Sequence, residues 1–166
     1  MFDFFSEFNL LKVSLDVFIG GTDTTSNVIR WALLLFMHYP HVQEKCFKEL
    51  REVIGLNRSP SMSDKPNMPY FEATVAEILR YSNLVLFVPR LTSKDAELEG
   101  YVIPKGTIVM VNQYSTCIDK ESFEDPDNFR PERFIGEDGK LARTDEALHF
   151  GVGKKIYTII FYYPSH

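Results

Sequence analysis

Two adjacent glycines, Gly20 and Gly21, open the run GGTDTTS and are followed by Asp23, Thr24 and Thr25. An acid beside a hydroxyl, next to a stretch of bare backbone, is a pair that can relay protons to a small bound molecule. Glycine lets another group approach the backbone closely. Two glycines in a helix interior cost about 1 kcal/mol each relative to alanine. Threonines at the same place compete for backbone carbonyls. Something must compensate: a bound molecule would do so, and so would a helix–helix crossing beside a solvated Asp23.

A second constellation is EILR, Glu77 to Arg80. Spacing of three puts both side chains on one helix face, where an exposed pair contributes only about 0.2–0.5 kcal/mol. Taken alone this is the pattern of a surface pair. A third is FRPERF, Phe129 to Phe134, in which Arg133 stands between an acid and an aromatic. Arginine suits a buried forked pair with a carboxylate, so Arg133 could join Glu77 and Arg80 in one network; alone it reads as a solvated arginine. The fourth is HFGVGKKIYTIIFYY, His149 to Tyr163. It is not a phosphate loop, because Lys155 stands where a Ser or Thr is required, and it lacks the third glycine of a dinucleotide loop. A tight loop with two cations, Lys154 and Lys155, is suited to presenting a ligand or meeting an anionic group.

The elements that must position these residues follow from periodicity. Residues near Ser6 to Tyr39 read as one long helix, apolar on several faces and so expected to be buried on more than one side. At about 1.5 Å per residue it would span on the order of 50 Å, and Pro40 closes it. A second helix follows in HVQEKCFKELREVIG, with Gly55 at its end. NRSPSMSDKPNMP reads as a polar loop, and YFEATVAEILRYS as a third helix. LVLFVPRL, ELEGYVIP and GTIVMVN then read as short strands. STCIDKESFEDPDNFRPERFIGEDGKLARTDEA is a long meander with short helices at most, of a length that is often functional. The expected class is mainly α with a small β-sheet.

Composition bounds the function. The 166 residues are 45% apolar and 25% charged, a globular balance. Net charge is −5, which argues against a nucleic-acid binder. Cys46 and Cys117 lie far apart without metal-type spacing and read as ordinary reduced thiols in a cytosol-facing protein. The longest apolar run before the tail, Trp31 to Met37, is far short of the roughly 20 residues that span a bilayer. The first residues, MFDFFSEFNLL, do not read as a signal peptide.

In their order and spacing the four constellations resemble the cytochrome P450 family of haem-thiolate monooxygenases, over roughly Phe5 to Lys155. DKPNMPYFEATVAEILR, YVIPKGTIVMVN and FEDPDNFRPERF look most like microsomal animal members, which oxidise lipophilic compounds. The resemblance implies a partial fold of that family: residues 1–155 would be a partial domain and 156–166 a tail without family resemblance. It implies haem as cofactor, a small lipophilic substrate, a flavoprotein reductase as partner, and attachment to the endoplasmic reticulum membrane. The long helix would cover the distal face of the haem, with Gly20 and Gly21 opening the dioxygen groove and Asp23 and Thr24 as the acid–alcohol pair that delivers protons. Glu77, Arg80 and Arg133 would form a buried triad. Phe150, Gly153 and Lys155 would belong to the haem-binding loop. Val13 to Ile19 and Leu84 to Val88 would line the substrate pocket.

The sequence also departs from the family. Its loop motif continues to an axial cysteine, and Tyr157 occupies that position, with Lys155 at the arginine and Ile159 at the next glycine. A thiolate pushes electron density toward bound oxygen, so this chain as written is expected to be inactive alone. Leu91 stands where many members carry an arginine for a haem propionate, beside Arg90, and His149 replaces a frequent proline. The segments that precede the long helix in the family, and the helix after the cysteine, are expected to be missing here. IYTIIFYY has the composition of A/T-rich codons, as expected of read-through past an exon boundary or of a broken gene model. Two alternatives stand beside the enzyme fragment: a haem-free chain acting as an interaction module or having no function, and a haem held by Tyr157, since tyrosine ligation occurs in catalases.

Overall fold

A computed structural model describes residues 6–142. The chain begins with α1, Glu7–His38, whose first turn is capped by Ser6: its Oγ accepts from the Asn9 amide at 3.2 Å. Tyr39 ends α1, its amide donating to the Leu35 carbonyl at 2.7 Å. Pro40 then serves as the first residue of α2, Pro40–Val53. Proline is tolerated there because that N–H has no helical partner anyway. Gly55 follows α2 at φ +76°, a left-handed turn that glycine adopts without steric cost. The loop read as irregular contains a 3-10 helix, Met62–Asn67, started by Ser61 and Asp64. α3, Pro69–Ser82, again opens on proline, and Asn83 closes it at φ +41°.

Four strands follow among the described residues, in two separate two-stranded antiparallel sheets. β1, Phe87–Leu91, pairs with β4, Ile108–Asn112, and β2, Ala96–Leu98, pairs with β3, Tyr101–Ile103. ELEGYVIP is therefore a hairpin rather than one strand. Glu99 at φ +49° and Gly100 at φ +79° form its two-residue turn, and two successive positive φ values are what a tight hairpin demands. The meander holds α4, Gln113–Ile118, and a 3-10 helix, Pro131–Phe134. The class is mainly helical with small sheets, as the sequence implies.

α3 is the centre of the packing. One apolar cluster joins Leu35 of α1, Val42 and Cys46 of α2, Ile78 of α3 and Phe129 of the meander. A second joins Ala73 of α3 to Phe123 and Phe134, whose rings lie 6.1 Å apart. The meander is thereby held on α3 from both sides. α1 corrects the sequence expectation: only Leu35 is buried. Leu10, Leu15, Phe18 and Ile19 are all exposed among the described residues, because α1 joins the core of α2 and α3 through its C-terminal turns.

Candidate functional site

Glu77 and Arg80 are not a surface pair. Glu77 is 0% and Arg80 1% exposed. Their spacing on α3 allows a forked pair, Arg80 Nε to Glu77 Oε2 at 2.7 Å and Arg80 Nη2 to Glu77 Oε1 at 2.9 Å. Arg133, from the 3-10 turn, donates its Nε to Glu77 Oε1 at 3.1 Å, and the Arg130 amide donates to the same oxygen at 2.8 Å. One carboxylate thus serves two guanidiniums and a backbone amide. The remaining donors are used on backbone carbonyls. Arg80 donates to Cys117 at 2.7 Å and Pro126 at 3.0 Å. Arg133 donates to Glu124 at 2.7 Å, Asn128 at 2.9 Å and Asp125 at 3.1 Å. All of these carbonyls belong to α4 or the meander, segments with little regular secondary structure to satisfy them. Burial draws the Arg133 guanidinium down from its ordinary pKa, with Glu77 opposing.

A second polar cluster lies on the outside of the same joint, and sequence reasoning missed it. Lys45 of α2 reaches Glu132 Oε1 at 2.7 Å, and the Tyr70 hydroxyl donates to the same oxygen at 3.0 Å. Burial works to raise the Glu132 carboxyl, but Lys45 and Tyr70 outweigh it and hold the group below its usual range. Burial and Glu132 push the Tyr70 phenol up. One turn along α2, Glu49 caps α3 by accepting from the Tyr70 and Phe71 amides at 2.9 and 2.7 Å. A carboxylate there satisfies donors that a helix start leaves orphaned. The only sequence signal was the acid inside PERF.

Gly20, Gly21, Asp23 and Thr24 lie together on α1, in its exposed part. A Cβ added at either glycine would meet nothing within 4 Å, so no packing among the described residues explains them. Thr24 Oγ1 donates to the Gly20 carbonyl at 2.7 Å, which leaves its lone pairs free to accept. The Asp23 carboxylate accepts from Asn27 Nδ2 at 3.2 Å. This is an open helix face carrying an acid and a hydroxyl on adjacent residues. Val13 to Ile19 lies on the same open stretch of α1, and Leu84 to Val88 runs into the start of β1. Phe150, Gly153, Lys155 and Tyr157 lie outside the described residues.

The two cysteines are committed to packing. Cys46 is 3% and Cys117 4% exposed. The Cys46 thiol donates to Thr74 Oγ1 at 3.3 Å between α2 and α3. Burial raises both thiol pKa values, and the bonds to Thr74 and Thr116 offset this only in part. Among the described residues no group of His, Cys, Asp and Glu is placed to hold a metal ion. No helix among them is long and apolar enough to cross a membrane.

A mainly helical domain, with one carboxylate and two guanidiniums bracing a meander onto a helix and a long glycine-opened helix leading into the same core, is the class that these parts define. The chain belongs to the cytochrome P450 family: the family's sequence model, Cytochrome P450, matches residues 3–156. It is 43% identical over 153 residues to human Cytochrome P450 2U1, covering 92% of this chain and 28% of that protein. It is 42% identical to the Bos taurus Cytochrome P450 2U1 with the same coverage. Mouse Cytochrome P450 2E1 is 42% identical over 149 residues, 89% of this chain and 30% of that protein. The chain therefore spans less than a third of the length of these curated relatives.

The family implies haem, and the described residues do not form its site. A Cβ at Gly20 or Gly21 would meet only open space, so the described residues form no cradle for a flat group there. Among the described residues no thiol is free to hold a thiolate-ligated iron: Cys46 and Cys117 are both buried, and Cys46 is bonded to Thr74. These residues therefore do not account for oxygen activation.

Proposed function

We propose that this chain is the distal-helix and brace portion of a haem-dependent monooxygenase that inserts one oxygen atom from O2 into a lipophilic substrate, and that as written it is not catalytic by itself. The Glu77 brace carries this reading. It commits three ionised side chains and five backbone carbonyls to fixing the meander on α3, a fastening that makes sense where the next segment must be held rigidly. In this reading Gly20 and Gly21 open the groove, and Asp23 and Thr24 hold and pass protons toward it. Thr24 is suited to that, since its own proton is occupied by Gly20 and its lone pairs are open. Phe150, Gly153 and Lys155 form the loop beneath, and residues 156–166 are a tail outside the domain of 1–155. The complete protein would work with a flavoprotein reductase at the endoplasmic reticulum membrane.

The test is a spectrum. Haem added to the purified chain, reduced and exposed to carbon monoxide, is expected to give no thiolate-type Soret band. A thiolate-type band would overturn the second half of the proposal. A specific observation favours one other reading, a haem-free interaction module: Leu10, Leu15, Phe18 and Ile19 of α1 stand exposed, and such patches favour association. A monodisperse chain with a cooperative melt in the absence of haem is its expected signature; aggregates without a transition would eliminate it.

A further inference from the structure

The stretch Asn57 to Asp64, NRSPSMSD, takes no part in the brace or in the α1 face, yet its contacts are specific. Residues 55–63 are all exposed, and 59–61 form no regular structure. Ser61 is extended, at φ −127° and ψ +154°. Ser59-Pro60 is the one Ser-Pro or Thr-Pro step in the sequence. A residue before proline is held extended, and Pro60 offers a ring and no N–H. The Ser59 hydroxyl makes no hydrogen bond among the described residues.

Arg58 is folded back over this step. Its Nη1 donates to the Ser59 carbonyl at 3.2 Å and to Asp64 Oδ2 at 2.7 Å, and its Nη2 donates to Asp64 Oδ1 at 2.7 Å. Asp64 Oδ2 also accepts from the Ser61 amide at 2.8 Å, which starts the 3-10 helix. One guanidinium therefore closes the loop onto the carboxylate that begins the next element. Arg58 and Ser61 hold the Asp64 carboxyl down at about 2.

We infer that Ser59 is a phosphorylation site for a proline-directed serine/threonine kinase, and that the phosphate switches the loop by drawing Arg58 away from Asp64. The Ser59 Oγ attacks the γ-phosphorus of a nucleoside triphosphate. A new O–P bond forms, the bond to the β-phosphate oxygen breaks, the hydroxyl proton goes to the kinase base, and a nucleoside diphosphate leaves. The product places about −1.5 to −2 charge and three acceptor oxygens beside a guanidinium that already touches the Ser59 backbone. The phosphate offers a stronger forked partner than the single charge of Asp64. Released from Arg58, Asp64 loses its anchor and the 3-10 helix loosens ahead of α3.

The experiment treats the full chain with such a kinase and magnesium ATP, maps the phosphate by mass spectrometry, and follows hydrogen exchange before and after. One phosphate on Ser59 is expected, absent in Ser59→Ala and reduced to background in Pro60→Ala. Exchange at the amides of Ser61 to Met68 is expected to quicken while the middle of α3 is unchanged. Arg58→Ala should show the quickened exchange already and gain none on phosphorylation. Absence of phosphate on Ser59 while a control peptide is modified would overturn the site, as would uptake that survives Ser59→Ala. Phosphorylation with unchanged exchange would overturn the switch.

Discussion

Replacing Glu77 by glutamine removes one charge and keeps the shape, and the structure sets what that costs. Glu77 and Arg80 have side chains 0% and 1% exposed, and the Arg133 side chain is 4% exposed. Glutamine retains one acceptor oxygen but presents an amide to guanidinium donors, and two buried cations lose their counter-charge. Their carbonyl partners on Cys117, Pro126, Glu124, Asp125 and Asn128 hold them in place without neutralising them. Leaving a buried charge uncompensated costs about 3–5 kcal/mol. Against a total stability of roughly 5–15 kcal/mol for a domain, that takes a large share. At about 2–4 °C per kcal/mol for a chain of this size, Tm should fall by roughly 6–20 °C. Urea unfolding followed by circular dichroism measures the change directly, and Arg133→Met with the double variant measures the coupling. A loss below about 1 kcal/mol, the upper range for exposed pairs, would refute the claim that the brace fastens the meander.

Other consequences follow from the same contacts. Asp64→Asn should flatten the acid limb of stability: the Asp64 carboxyl is lowered from 3.8 to about 2, so its contribution is present above the unfolded value and lost as pH falls from about 4 toward 2, which unfolding curves at stepped pH would show. Glu49→Ala should cost about 0.5–2 kcal/mol by uncapping α3, read as a shift of the urea midpoint. Gly20→Ala should stabilise α1 by about 1 kcal/mol, since an added Cβ meets nothing; a loss on thermal melting would mean that α1 is packed there. Cys46 and Cys117 should resist a thiol reagent in the folded chain and react together in denaturant, because burial shields both and raises their pKa values.

Much of the fold was legible because its signals are local. Pro40 and Gly55 mark helix ends by backbone chemistry that does not depend on the rest of the chain. The Glu99-Gly100 turn was not legible, because a glutamate is a poor candidate for a positive φ and only the pairing of Leu98 with Tyr101 settles it. The 3-10 helix at Met62 was hidden by Pro66, which suits a short tight turn as well as a loop. The burial of α1 was overread: an apolar helix signals a partner, and the described residues supply one only at its C-terminal end. The candidate site shows the same division. Glu77 and Arg80 share a helix face by spacing alone, but the carbonyls that accept from the buried Arg80 come from residues 117 and 126. Lys45, Tyr70 and Glu132 come from three elements, and no local pattern links them.

The most telling single measurement is the carbon monoxide difference spectrum of the chain with added reduced haem. No thiolate-type Soret band is expected, in the unaltered chain and equally in Cys46→Ser and Cys117→Ser. A thiolate-type band, lost in either serine variant, would show that a buried cysteine is the iron ligand, and would contradict the placement of both thiols in packing contacts.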